Sequence, residues 1–226
     1  VDPMVYQYYQ VTVIDTFNYE TKGDVYSSSL DSLPNPVNVE YVEYTLEEMA
    51  ISWGEASDGD FKHYNLLFSE SESGDKTSVT TLTNKSTTSY SISEFNPNIE
   101  NWYWVKVSDT LGQTSIGNGM TNALNNQPYP VDVTSITYNL EWMTIVWDIY
   151  VPNMSHNAQM NQNTRSTVTN DFASYEVLQS DREDGTYSWG AIITNHSTTS
   201  HTLTSFDPSQ ENWFKVKVTD YWGLTS

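Results

Sequence analysis

The 226-residue chain contains no cysteine, which excludes disulfides, thiolate metal sites and cysteine nucleophiles. Basic residues are scarce: nine Lys and Arg against 29 Asp and Glu leave a formal net charge of −20. Nucleic-acid binding draws on counterion release by Lys and Arg, and peripheral membrane anchoring on polybasic segments, so neither partner suits this balance. No apolar run approaches the ~20 residues of a membrane-spanning helix, and no segment carries a convincing helical period. What is abundant is aromatic. The 8 Trp, 16 Tyr and 7 Phe make up 14% of the chain, far above what a disordered acidic tail carries. The length is about one and a half times a ~150-residue domain, enough for one large domain or two of about 100 residues.

Internal repetition decides between these. Leu46-x-x-Met49-x-Ile51-x-Trp53 recurs 94 positions later as Leu140-x-x-Met143-x-Ile145-x-Trp147, and Pro34-x-Pro36-Val37 recurs at the same shift as Pro128-x-Pro130-Val131. Further along, Asn84-x-Ser86-Thr87-Thr88-Ser89 and Phe95-x-Pro97-x-x-Glu100-Asn101-Trp102 recur at a shift of 111, as Asn195-x-Ser197-Thr198-Thr199-Ser200 and Phe206-x-Pro208-x-x-Glu211-Asn212-Trp213. The shift grows by 17 between Trp147 and Tyr175, so the second copy carries a 17-residue insertion there. A partial copy comes first: Tyr9-x-Val11-x-Val13-x-Asp15 matches Tyr103-x-Val105-x-Val107-x-Asp109. The expected organisation is the last two strands of a preceding repeat over 1–30, a Pro linker over 31–36, a repeat over 37–124, a second Pro linker over 125–130, and a repeat over 131–226. Both ends fall inside a repeat, as expected for a window on a longer array or for a hairpin that completes a sheet elsewhere.

Within each unit, apolar residues alternate with polar ones: Met49, Ile51 and Trp53; Tyr64, Leu66 and Phe68; Tyr103, Val105 and Val107. A period of two with β-branched and aromatic enrichment predicts half-buried antiparallel strands. Clusters such as Ser71-Glu72-Ser73-Gly74-Asp75 separate them. Roughly seven short strands in about 90 residues is the pattern of a β-sandwich. With Trp53 and Trp147 ending the second strand, Tyr64-x-Leu66 and Tyr175-x-Val177 opening the third, and Phe95-x-Pro97 and Phe206-x-Pro208 preceding Tyr-x-Val-x-Val, the units resemble fibronectin type III repeats. The fold class expected is therefore all-β, tandem immunoglobulin-like antiparallel sandwiches. The resemblance implies a buried Trp in each unit. It also implies a tyrosine corner at Tyr9 and Tyr103, which Phe214 cannot supply in the last unit. It further points to tandem repeats of secreted or cell-surface microbial proteins.

Nothing suggests catalysis. His63, His156, His196 and His201 lie in no triad or metal-ligand spacing, and no phosphate loop, H-E-x-x-H or G-x-S-x-G occurs. No catalytic residue and no cofactor is expected, with calcium the one inorganic candidate. Ser57-Asp58-Gly59-Asp60 sets the carboxylates of Asp58 and Asp60 about a flexible Gly, a donor type that suits a hard cation; the alternative is a plain Asp-Gly turn. Asn84, Asn153 and Asn195 begin glycosylation sequons, two of them at matched repeat positions. Trp104 alternates with core positions and is expected to face outward, either covered by neighbours or stacking on a surface glycan. The insertion, from Ile149 to Asn170, holds no Asp or Glu. Long loops are functional or disordered; as a contact loop it would meet a neighbouring acidic molecule through Tyr150, Met154, Met160 and Arg165.

These features describe an extracellular, cell-surface structural or adhesive protein, a segment of a stalk, fibre or filament whose partners are copies of itself or neighbouring repeats. Accessory modules, spacing or carbohydrate-binding, of a larger secreted glycan-degrading enzyme are the alternative.

Overall fold

The computed structural model describes residues 2–152, 164–166 and 170–226. No helix occurs among them, so none is long and apolar enough to cross a membrane. The chain opens with a hairpin, β1 (Tyr8–Ile14) against β2 (Glu20–Ser27), in which every residue of both strands is exposed.

The first complete unit follows. One sheet contains β3 (Val39–Tyr44), β4 (Met49–Trp53) and β7 (Ser89–Ile92) in the order β3-β4-β7. The facing sheet contains β5 (Phe61–Ser69), β6 (Thr77–Leu82), β8 (Trp102–Asp109), β9 (Thr114–Ile116) and β10 (Met120–Thr121), with β8 at its centre. Met49, Ile51 and Trp53 point inward at 0, 0 and 2% exposure, while Ala50 and Ser52 between them are half-buried. They pack on Tyr64, Leu66, Tyr103, Val105 and Val107 from the other sheet. The period-two pattern thus becomes one core between two sheets.

The second unit repeats the plan. β11 (Val133–Tyr138), β12 (Met143–Trp147) and β16 (Ser200–Leu203) form one sheet; β14 (Phe172–Ser180), β15 (Ser188–Ile193) and β17 (Trp213–Asp220) form the other. Its core gathers Met143, Ile145, Trp147, Tyr175, Val177, Phe214, Val216 and Val218. Trp53 and Trp147 are buried as expected, each edge-on to the Tyr that opens the third strand of its unit. Neither indole Nε1 finds a hydrogen-bond partner among the described residues. The two first–second–fifth-strand sheets, each facing a sheet built on the third and sixth strands, make the chain an all-β array of fibronectin type III-like sandwiches.

One expectation is corrected. Tyr103 sits in the core against Phe68 and forms no tyrosine corner: its hydroxyl makes no hydrogen bond among the described residues. Asn101 closes the corner instead, its Nδ2 donating to the carbonyls of Asn96 and Ile99 at 2.9 Å each. Asn212 does the same to Asp207 and Gln210 in the second unit, at 3.0 Å each. The Asn101 amide, at the last turn before β8, lies beside those carbonyls, whereas the Tyr103 ring turns into the core against Phe68. The hydroxyls that do tie loops together are those of Tyr64 and Tyr175. Tyr64 accepts from Ala56 N (2.7 Å) and donates to Lys85 O (2.9 Å); Tyr175 accepts from Tyr150 N (2.8 Å) and donates to His196 O (3.1 Å).

The insertion lies largely outside the described residues. Its described part, β13 (Thr164–Ser166), pairs in parallel with β3 of the preceding unit of the same chain, setting Arg165 in register with Glu43. An edge strand offers unpaired backbone groups, and a tethered segment reaches them at an effective concentration that a separate molecule lacks. This short stretch of the loop therefore lies against a neighbouring repeat of the same chain, and the rest of the contact expected of the insertion falls outside the described residues.

Candidate functional site at the joint between repeats

Each copy turns from its sixth to its seventh strand through Asp-x-Φ followed by a residue with positive φ. The copies read Asp15-Thr16-Phe17-Asn18, Asp109-Thr110-Leu111-Gly112 and Asp220-Tyr221-Trp222-Gly223. Asn18 (φ 67°), Gly112 (φ 91°) and Gly223 (φ 85°) occupy the left-handed region, which Gly and Asn adopt at least cost. The Asp builds the turn: one carboxylate oxygen accepts from the amides two and four residues on. In Asp109 those are Leu111 (2.9 Å) and Gln113 (2.8 Å); in Asp220, Trp222 (3.0 Å) and Leu224 (2.8 Å); in Asp15, Phe17 (2.8 Å) and Tyr19 (2.9 Å). This geometry presents an apolar side chain at the tip of every copy.

In the second repeat that tip, Trp222, packs on the base of the first. Its ring lies 5.5 Å from Tyr44 at 84°, and it joins Phe95 at the edge of the first core. Asn98 Nδ2 donates to Trp222 O at 3.1 Å. Asn125, in the linker, completes the joint by donating from Nδ2 to the free oxygen of Asp220 at 2.7 Å and from its backbone amide to Pro97 O at 2.8 Å. Burial raises the Asp220 carboxyl above the ordinary carboxylate range against the lowering effect of the Asn125 bond, and the charge of Asp171 adds to the rise. Tyr44 is 2% exposed under this turn, whereas its repeat-mate Tyr138 is 62% exposed.

At the first joint the linker residue matching Asn125 is Asp31, and the residues matching Asp171 and Asp220 are Asp60 and Asp109. One carboxylate oxygen from each of Asp31, Asp60 and Asp109 lies within 4.8 Å of the other two. Gln113 Nε2 donates to Asp31 Oδ2 at 2.5 Å.

Of the residues singled out in the sequence, Asp60 stands in this group and Asp58 does not. Asp58 instead binds the linker, accepting from Asn35 N and Asn35 Nδ2 at 2.9 Å each. Asn84 and Asn195 are exposed and head matched turns, each accepting from the amide two residues on at 3.0 Å. Trp104 is 6% exposed: it stacks on Trp102, Lys76 lies 4.1 Å above its ring, and Gly119 leaves no room for a Cβ beside it. It offers no open platform to a glycan. Tyr150 is 2% exposed within the second core, its hydroxyl bonding to Asp171 at 3.1 Å, and so is no interface residue. Burial and then the Asp171 charge push its phenol upward. Asn153, Met154, His156 and Met160 lie outside the described residues. Trp222, Asn125, Asp31 and Asp109 escaped the sequence reading. The shared apolar tip (Phe17, Leu111, Trp222) was the signal available for them.

No protein-family model matches the chain. No curated protein matches it either. Among solved structures it is similar to the chicken CNTN1 FN1–FN3 domains, at 15% identity and a TM-score of 0.36, covering 96% of this chain and 73% of that one. It is also similar to a segment of two fibronectin type III domains from chicken tenascin, at 15% identity and a TM-score of 0.36, covering 86% and 95%. Pectate lyase Pel3 from Pectobacterium carotovorum aligns at 15% identity and a TM-score of 0.35, over 47% of this chain and 32% of that one. These are likenesses of fold alone.

Proposed function

We propose that the chain is a structural, non-catalytic segment of an extracellular repeat array, a stiff spacer in a surface stalk, adhesin or filament. The observation that supports this best is the joint. Trp222, Asn125 and β13 each tie the second repeat to the first, so the linker is not the sole connection. Inter-domain contacts that small leave free motion as the default; three separate ties in one joint, beside a Pro-x-Pro linker, hold it to one arrangement.

The partners proposed are further repeats, of the same polypeptide or of another copy. Tyr9, Val11 and Val13 of β1 are 52, 71 and 63% exposed, whereas their matches Tyr103, Val105 and Val107 are 2, 0 and 0% exposed in the first core. A hairpin that carries core-facing residues without a core fits a sheet supplied by a neighbour. Tyr138, Leu140 and Trp142, exposed at the base of the second repeat, suit the apolar tip of another repeat in the way Tyr44 receives Trp222.

The absence of cysteine makes the test simple. Spin labels on Ser73→Cys and Asp184→Cys report the distance between repeats by pulsed electron resonance. One narrow distance distribution is expected, and a broad one, typical of freely jointed units, refutes the spacer reading.

A further inference from the structure

We infer that Asp31, Asp60 and Asp109 form a calcium site that locks the first joint. The two joints of the chain are built from matched positions, and beside the turn carboxylate the second has Asn125 where the first has Asp31. At the second, the Asn125 amide donates to the inner oxygen of Asp220. At the first, a carboxylate, Asp31, stands where that amide would be. The inner oxygen of Asp109 consequently has no partner among the described residues although the side chain is completely buried, at 0% exposure. Its other oxygen is already taken by the amides of Leu111 and Gln113.

A buried carboxylate oxygen without a donor is costly, and two further carboxylates beside it make it more so. The described ion pairs, Arg182 with Asp181 and Lys217 with Glu176, lie elsewhere, so no side-chain cation among the described residues relieves the group. A divalent cation does what Asn125 does at the other joint: it supplies positive charge to the unpartnered oxygen and bridges linker to turn. Three carboxylates from three segments, the linker, the start of β5 and the end of β8, give hard oxygen ligands in an irregular arrangement, with water filling the rest. Calcium tolerates such geometry at six to eight ligands, whereas magnesium demands a near-ideal octahedron. Asp60 and Asp109 are held by their own strands, Thr110 N donates to Asp60 O at 2.9 Å, and Gln113 holds Asp31, so the ligands are largely pre-arranged. Calcium binding here is independent of whether the array serves as a stalk.

The test uses the full chain stripped with chelator and titrated with calcium chloride by calorimetry, with magnesium chloride as a second arm and thermal unfolding in parallel. One calcium per chain is expected, with a dissociation constant of about 10⁻⁴–10⁻³ M, the range of extracellular modules, and a melting temperature that rises with calcium. Asp31→Asn recreates the arrangement of the second joint. It is expected to weaken calcium binding by about tenfold or more, since affinity follows ligand charge, and to melt in chelator no lower than the parent, which separates loss of the site from loss of the fold. Asn125→Asp is expected to add a second equivalent of calcium. The inference is overturned if the parent shows neither calcium heat nor a calcium-dependent melting shift. It is overturned equally if Asp31→Asn responds to calcium as the parent does, or if magnesium binds as tightly as calcium.

Discussion

Trp222 of the second repeat stands edge-on to Tyr44 of the first, ring centroids 5.5 Å apart, and closes the base of a core that belongs to another sandwich. The contact makes the stability of one repeat depend on its neighbour. Trp222→Ala is expected to remove about 1–2 kcal/mol, below the value of a fully buried large apolar side chain because Trp222 is half-buried, and to do so from the first repeat, which contains no mutation. Site-resolved hydrogen exchange on β3 and β4 checks this; protection unchanged in those strands would show that the joint carries no coupling.

Tyr44 and Tyr138 are repeat-mates with opposite environments, so the same substitution separates them. Tyr44→Ala should cost ~3–5 kcal/mol as a buried aromatic truncation, and Tyr138→Ala within about 0.5 kcal/mol as a surface change. Urea unfolding of the two variants gives the comparison. Equal losses would mean that the base of the second repeat is covered in solution.

Trp53→Ala and Trp147→Ala should each cost about 3–5 kcal/mol. The buried indole nitrogens have no partner to lose among the described residues, so the loss is one of packing and cavity, and Trp53→Phe should recover part of it. Chemical denaturation at one pH suffices; a Trp53→Ala chain as stable as the parent would contradict the core described above.

The corner amides should behave as structural hydrogen bonds. Asn101 is 4% exposed, and its loss removes the donor that serves the carbonyls of Asn96 and Ile99 and the buried Oδ1 of Asn122. Asn101→Ala is expected to cost roughly 1–3 kcal/mol, the loss of three side-chain hydrogen bonds of which one is buried. The more open Asn212 should cost less. The sign would be reversed if Asn212→Ala proved the more damaging in thermal melts.

Burial raises the Tyr103 phenol from its ordinary 10.0 to about 12. A folded-state value above the unfolded one means that the native chain holds its proton longer. The stability it contributes is complete below the unfolded value and is lost as pH rises from there through the folded value. Unfolding monitored across that alkaline window should steepen in the parent, and Tyr103→Phe should flatten it at little cost near neutrality, because the hydroxyl has no hydrogen bond to lose. An identical alkaline profile in both chains would place the titration elsewhere.

Much of the fold is legible in the residues themselves. The alternation of Met49, Ile51 and Trp53, and its return at Met143, Ile145 and Trp147, specifies half-buried strands because side chains on a strand point to opposite faces by turns. The matched spacings specify two sandwiches and place the Trp of each within its core. Local turn chemistry is equally readable, since Asp109 and Gly112 recur as Asp220 and Gly223 and each serves amides only a few residues away. The joint is different. Whether Asn125 meets Asp220, or Trp222 meets Tyr44, depends on how two separately folded cores come to rest against each other, and their separation in sequence carries no period. The same holds for Trp104, outward by alternation and yet covered by Trp102 and Lys76, and for Thr164–Ser166, which adds to the edge of β3. Pattern dictates which face of a strand is apolar; only the tertiary structure decides what lies against it, because contacts between distant segments are set by the packing of whole sheets and not by the spacing of neighbouring residues.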